Sequence, residues 1–290
     1  MQGKGAKALK RKSASVLVAI LTYRREGILK NCLTSIEHQE GIARERFDIL
    51  IADNDPASEI EEYARLGEAR RKFGQGSIAR GRQAVLDYAR DVGYEMLVFI
   101  DDDEVATPKW LSSLVLLANE DNATAVAGPV IPSTAETRNQ SLFGRTRRAT
   151  GESLEAAGAG NLLLKIDYLG GIAFDPAWPL NGGEDTDFTY RLTKSGGKIV
   201  WCDEAVVIEP VDPRRISARW LIKRYFDNGR ILARCRGADR FAVARLLVGA
   251  LVTFTLPLAV FWGRSFRYVL EYGIRQLGYA AESMSLGSTR

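Results

Sequence analysis

Met96-Leu97-Val98-Phe99-Ile100 runs straight into Asp101-Asp102-Asp103-Glu104. The first part reads as a buried strand, and it stops at consecutive carboxylates. Ionised carboxylates held together repel one another and resist desolvation, so such a strand end is costly without a positive partner. A divalent cation with oxygen ligands would relieve that cost, and substrate phosphates completing its shell would turn the site into a diphosphate holder. A solvated acidic turn is the plain alternative, and these residues alone leave the two open.

Two earlier segments repeat the pattern. Val16-Leu17-Val18-Ala19-Ile20-Leu21 is a continuous apolar run ending at Thr22-Tyr23-Arg24-Arg25, and Phe47 to Ala52 ends at Asp53-Asn54-Asp55-Pro56. Runs without polar alternation fit strands covered on both faces of a parallel sheet. Helices are expected over Glu26–His38, Glu59–Phe73, Ile78–Val92 and Trp110–Glu120, with one further strand over Thr124–Val130. A β-α-β-α-β order implies right-handed crossovers and a mostly parallel sheet with helices on both faces. Ligands of such sheets bind beyond the carboxyl ends of the strands, so the three polar strand ends should share one rim. A dinucleotide fold would need a Gly-rich fingerprint after the first strand, where Thr22-Tyr23-Arg24-Arg25 stands instead. Gly74-Gln75-Gly76 follows an expected helix rather than a strand, and no Walker A sequence occurs.

The chain has 290 residues, 46% hydrophobic and 26% charged, which is a globular composition with room for one large domain and an appendage. Net charge is only +4, yet basic residues cluster at Lys4 to Lys12 and again from Arg214 to Arg240. Clusters of this kind attract anionic surfaces. Cys32, Cys202 and Cys235 show no CxxC spacing, which fits a reducing compartment and argues against zinc or a disulfide framework. The sole histidine, His38, falls at an expected helix end on the surface. The first apolar run is short and follows a polar basic tail, so no secretory leader is expected.

Beyond Ser133 the chain is polar to Glu155, with Arg138, Arg145, Arg147 and Arg148, and reads as a long substrate-ordered loop. Gly158 to Leu164 resumes as a turn and strand. Leu180-Asn181-Gly182-Gly183-Glu184-Asp185-Thr186-Asp187-Phe188 then opens a helix over Thr186–Lys194, closed by Gly196-Gly197. Acids at a helix start are favourable for the dipole and for capping, which accounts well for Asp187. It accounts less well for three acids within four residues behind Gly-Gly. Trp178 is read as either an acceptor-stacking or a core aromatic. Short strands follow at Lys198–Trp201 and Ala205–Ile208, before Glu209-Pro210.

The strand ending in Thr22-Tyr23-Arg24, the Asp101-Asp102-Asp103 strand end and Gly183-Glu184-Asp185-Thr186-Asp187 together resemble a family 2 glycosyltransferase of the GT-A fold. The wording is most similar to the bacterial exopolysaccharide branch, which includes succinoglycan-type glucosyltransferases. The resemblance covers roughly Ser15 to Pro213 and implies inverting sugar transfer from a nucleotide-diphosphate donor, a UDP-sugar being favoured. By position it implies that Thr22, Tyr23 and Arg24 line the nucleoside pocket. Asp53 and Asn54 would read the base, Arg80 would contact the nucleotide, and Asp101 and Asp102 would belong to the donor site. Asp103 would hold Mg2+ or Mn2+, and Asp185 would be the general base with Glu184 beside it. Such a base takes the acceptor hydroxyl proton as the anomeric carbon gains oxocarbenium character. The chain departs from the family twice: Gly81 stands where an Asn usually follows the Arg, and Glu209 stands where relatives carry a His, leaving Glu209 as a further metal candidate.

Three regions are expected: a basic tail over 1–14, the catalytic domain over 15–213, and membrane-associated helices over 214–290. Trp220, Leu221, Tyr225, Ile231 and Leu232 alternate with Arg219, Lys223, Arg224, Arg230 and Arg234 as in a basic amphipathic helix. Leu246 to Trp262 carries no charge but contains Pro257, which fits an in-plane or re-entrant segment as well as a span. A buried helical cap is the alternative. The expected partners are the nucleotide-sugar, a polyprenyl-linked saccharide acceptor and an anionic membrane surface, with no nucleic acid. The expected location is the cytoplasmic face of the inner membrane. A sugar nucleotidyltransferase would need a Gly-rich phosphate loop after the first strand, and a non-catalytic saccharide-binding partner has only the two departures in its favour.

Overall fold

The apolar runs form the middle of the sheet because each is covered on both sides. The chain runs β1 (Val16–Thr22), α1 (Glu26–Glu37), β2 (Phe47–Asp53), β3 (Tyr63–Arg65), β4 (Glu68–Lys72), α2 (Ile78–Val92), β5 (Met96–Asp101), β6 (Val105–Ala106) and α3 (Trp110–Glu120). It continues through β7 (Ala125–Ala127), β8 (Val130–Ser133), β9 (Ser153–Leu154), β10 (Asn161–Lys165), α4 (Glu184–Lys194), β11 (Ile199–Trp201) and β12 (Val207–Pro210). Helices α5 (Ala218–Arg236), α6 (Ala242–Phe254) and α7 (Phe266–Ser288) complete it. This computed structural model describes residues 14–57, 63–65, 68–73, 76–133, 147–179, 182–210, 217–237, 241–254 and 266–288. The basic tail before residue 14, Arg138, Arg145, Asp212-Pro213 and residues 255–262 of the late apolar stretch lie outside the described residues.

Nine strands order as β3-β4-β2-β1-β5-β10-β7-β11-β9, with a separate small sheet β6-β12-β8. Residues of β1 alternate between two cores. Val16, Val18 and Ile20 pack with Leu29, Ile36, Trp110 and Leu114 on one face. Leu17 and Ala19 pack with Val85, Leu86, Phe174 and Phe188 on the other. The parallel register pairs Thr22 with Asp53 and Leu21 with Asp101, so the three polar strand ends do share one rim.

The sheet is parallel through its centre, over β4-β2-β1-β5, and becomes mixed where β10 enters antiparallel between β5 and β7. Two expectations are corrected. Within the helix expected over Glu59–Phe73, the described residues form the antiparallel pair β3 and β4, with β4 parallel to β2, while 59–62, 66 and 67 lie outside the described residues. Glu68-Ala69-Arg70-Arg71-Lys72 favours helix by local propensity, but the open edge of β2 supplies backbone partners, and tertiary pairing outweighs propensity. Basic side chains are also the usual protection of a strand near a sheet edge. The single strand expected over Thr124–Val130 divides at Gly128-Pro129 into β7 of the large sheet and β8 of the small one.

A buried Asn161 joins the two sheets beside that division. It accepts from the Trp110 indole at 2.8 Å and donates to Ala205 O at 2.7 Å and Pro129 O at 3.1 Å. Gly128 is required here, since a Cβ would stand 2.3 Å from Ala205 O.

The C-terminal helices pack on one another at very short range. A Cβ on Gly229 of α5 would fall 2.0 Å from Arg275 O of α7, and one on Gly278 would fall 2.0 Å from Phe226 O. Glu282 of α7 is buried and accepts from Arg230 Nε at 2.9 Å and from Arg234. Small residues let the backbones approach, and the buried charge pairing fixes the register. Gly229→Ala should therefore separate α5 from α7, at a cost of about 1–3 kcal/mol or more. Thermal unfolding checks this, and an unchanged melting temperature would contradict the close crossing.

Candidate active site

The rim is built from four segments: the loop after β1, the loop after β2, the end of β5, and the start of α4. Tyr23 is exposed, and Arg24 adopts a left-handed backbone with φ of 56°. That reversal turns the Arg24 guanidinium over the Tyr23 ring at 5.2 Å and onto Asp55 through bonds of 2.6 and 3.3 Å. Asp53 and Asn54 are buried. Asp53 Oδ1 accepts from the Asp55 backbone N–H at 3.0 Å, and the Asn54 amide donates to Ser77 O at 3.1 Å. Both brace the loop as well as facing the rim. A Cβ on Gly81 would lie 2.8 Å from Asn54 Oδ1, so Asn54 occupies the space next to α2 that a larger residue at 81 would need.

The acids of β5 take different directions. Asp102 turns inward, accepting from Thr22 Oγ1 at 2.9 Å and from Arg25 at 3.2 Å. Desolvation pushes its carboxyl above the usual range, against the pull of Thr22 and Arg25. Asp103 stays at the surface of the cleft, bonded to the same Arg25 guanidinium at 3.2 Å. Asp101 turns toward Arg82, which donates to its Oδ1 at 3.3 Å. Its pKa is also raised, by desolvation, which Arg82 opposes and the neighbouring acids reinforce. Glu104 is buried and braces this turn by accepting from the Asp101 backbone N–H at 3.0 Å.

Across the cleft, Gly183 caps α4 in a left-handed conformation, and a Cβ there would stand 2.6 Å from Ile231 of α5. This places Glu184 and Asp185 in the first helical turn, two residues earlier than the sequence suggests. Asp185 Oδ2 accepts from the Ala159 backbone N–H at 3.0 Å, and Oδ1 from Thr186 N–H at 2.6 Å. Thr189 ties the helix to the same loop, donating and accepting at Ala157. Asp187 pairs with Arg191 one turn on, a structural use. Trp178 fills neither expected role outright: it is half-buried and its indole donates to Gly182 O at 3.0 Å, supporting the turn into α4.

Arg82 joins the two sides, and sequence reasoning passed over it in favour of Arg80. Its side chain is 8% exposed, and it bonds to Glu184, itself 3% exposed, and lies 3.7 Å from Asp185 Oδ2. Burial alone would lower its pKa, but Asp185, Asp101 and Glu184 outweigh that and hold the guanidinium charged. Burial likewise pushes Glu184 up, with Arg82 pulling it back. A signal was present: Val85, Leu86 and Ala89 follow Arg82 at helical spacing, so a charge sits on the apolar stripe of α2. Arg80 is exposed and donates to Pro176 O at 3.3 Å. Glu209 lies in β12, paired in register with Pro132 in the small sheet, and does not line the cavity beside Asp185. That cavity has a volume of about 530 Å3, and Asp101, Glu104, Gly160 and Asp185 are among the residues that line it.

Asp101, Asp102, Asp103, Glu184 and Asp185 thus meet the guanidiniums of Arg25 and Arg82, an excess of negative charge that suits a divalent cation. No group of three or more His, Cys, Asp or Glu that could hold a metal occurs among the described residues. Magnesium-type binding, in which one or two carboxylates hold an ion whose shell is completed by substrate phosphates, does not require such a group.

The sequence model described as "Glycosyl transferase family 2" matches residues 17–173. The chain is 31% identical to "Succinoglycan biosynthesis protein ExoM" of Rhizobium meliloti (strain 1021) over 262 residues, covering 84% of this chain and 83% of the relative. Among solved structures it resembles S. aureus TarS 1-349 in complex with UDP-GlcNAc, with a TM-score of 0.55 and 15% identity. That likeness covers 95% of this chain and 92% of the other. GalNAc-T7 with UDP, GalNAc and Mn2+ has a TM-score of 0.52 at 12% identity, covering 69% of this chain and 44% of that one. At such identities the structural likeness establishes the GT-A-type α/β fold.

Removing Arg82 leaves Glu184 buried without its countercharge, so Arg82→Met should cost about 3–5 kcal/mol. Replacing both partners, Arg82→Met with Glu184→Leu, should recover part of that loss. Urea unfolding of the single and double variants checks it, and strict additivity would contradict the pairing.

Proposed function

The chain belongs to family 2 of the glycosyltransferases, and we propose that it is an inverting, metal-assisted enzyme of exopolysaccharide synthesis. It moves a sugar from a UDP-sugar to a saccharide acceptor. The observation that carries this reading is Arg82, which ties the acidic strand end at Asp101 to Glu184 and Asp185 across one cleft. Donor and acceptor chemistry can therefore occupy the same space. The relationship to a succinoglycan biosynthesis protein supports the pathway class, and the UDP complexes of the structural neighbours support the donor class.

In this reading Tyr23 and Arg24 offer exposed faces to the nucleoside, with Thr22, Asp53 and Asn54 shaping the wall behind them. Asp101 and Asp103 face the donor, and Asp103, held only at the edge of the cleft, is the residue that would hold Mg2+ or Mn2+. Such an ion, when bound, supplies positive charge to the leaving diphosphate. Asp102 positions the turn through Thr22 and Arg25.

Asp185 takes the proton from the acceptor hydroxyl. Both of its oxygens are oriented by backbone N–H groups, which fixes the carboxylate on the cavity wall without a side-chain rearrangement. Glu184 and Arg82 hold the helix start in place. Positioned general bases contribute about 10²–10⁴-fold, so Asp185→Asn should lower turnover by that factor while donor affinity is unchanged. Transfer at the parent rate would refute the assignment.

Residues 15–213 form the catalytic unit and 214–290 the membrane-facing helices at the cytoplasmic face of the inner membrane, where a polyprenyl-linked acceptor would be met. Phe241, Val243, Leu247 and Leu251 are exposed on or beside α6, and the last three recur at one-turn spacing. A helix with one bare apolar face suits an in-plane position at a bilayer. Among the described residues, no helix is long and apolar enough to cross a membrane. Leu247→Asp with Leu251→Asp should abolish co-sedimentation with phosphatidylglycerol vesicles, and undiminished binding would remove α6 from the contact.

A further inference from the structure

We infer that the arginine-lined part of the cavity is an acceptor subsite for a phosphate-bearing saccharide, with Arg224 as its anion contact. The inference rests on the transferase reading above and deepens it. Arg147, Arg148 and Arg224 line the same cavity as Asp185, Asp101 and Glu104, so both guanidiniums and carboxylates face it. A guanidinium that no carboxylate of the protein takes up is suited to forked pairing with phosphate oxygens.

The three arginines differ in what they already hold. Arg147 is bonded to Asp203 through Nε at 2.6 Å and Nη2 at 2.7 Å, and also to Asp203 O at 2.9 Å. Arg148 pairs with Glu152. Arg224 makes no ion pair among the described residues, and its guanidinium lies over the Trp220 ring, 5.9 Å from the centroid. Its neighbour Lys223 takes Asp227, at 2.5 Å. Among the described residues that line the cavity, Arg224 is thus the guanidinium that no carboxylate neutralises.

Its position relative to the base is set by packing. Ile231, which fills the space beside Gly183 at the start of α4, lies seven residues after Arg224 on α5. Seven residues return to the same helix face about 10 Å along the axis. Arg224 therefore stands about two turns from the contact that fixes Glu184 and Asp185, on the face that looks toward them. A phosphate bound there would belong to the acceptor, because the donor's diphosphate is assigned to the Asp103 rim.

The test measures binding of glucose 1-phosphate to the full chain by calorimetry with UDP and manganese present, so that the donor side is filled. Methyl α-glucoside is the neutral control. The sugar phosphate should bind at least about tenfold more tightly than the control, and Arg224→Ala should erase that difference. Arg224→Lys should keep part of it. UDP affinity and melting temperature should be the same in all three proteins. Equal binding of the two sugars to the parent chain, or an Arg224→Ala variant that weakens UDP as well, would overturn the subsite. Failure of UDP itself to bind would instead refute the donor reading on which the subsite rests.

Discussion

The buried guanidinium of Arg82 must be paired, because an isolated charge at that depth would cost several kcal/mol. Its partners come from distant parts of the chain: Asp101 at the end of β5, and Glu184 and Asp185 at the start of α4. Satisfying that one charge therefore closes the cleft. It brings the strand end that would face a diphosphate next to the helix start that would face an acceptor. The same contact restrains carboxylates that would otherwise repel, which is why Asp101 and Glu184 can stand close while burial raises both of their pKa values. Arg25 does the equivalent work for Asp102 and Asp103.

The central sheet was legible in the sequence because β1, β2 and β5 are apolar on both faces, and a parallel register then forces Thr22, Asp53 and Asp101 onto one rim. The insertion of β10 was not legible, since Asn161 to Lys165 carries no mark of its direction. Neither was the pairing of β4, where charged helix-forming residues take strand geometry from the edge of β2. At the site, the acids were visible as runs. Arg82 was hidden because its meaning depends on facing inward, a property of the folded helix. Arg80, two residues earlier, matched a motif and faces out.

The C-terminal helices belong to the cleft as much as to any membrane. Ile231 of α5 packs where a side chain at Gly183 would be, and Arg224 of the same helix lines the cavity. Gly229 and Gly278 hold α5 against α7, and α7 against α6 through Gly249, whose Cβ would stand 2.9 Å from Gly273 O. Close packing thus runs from α6 through α7 and α5 to the start of α4.

The most direct measurement is calorimetric titration of the full chain with nucleoside-diphosphate sugars, with and without manganese. If the acidic strand end is a diphosphate holder, a UDP-sugar should bind, and manganese should tighten it by about tenfold or more. That gain should vanish in Asp103→Ala. Binding of no nucleoside diphosphate under either condition would contradict the reading of this cleft as a donor site.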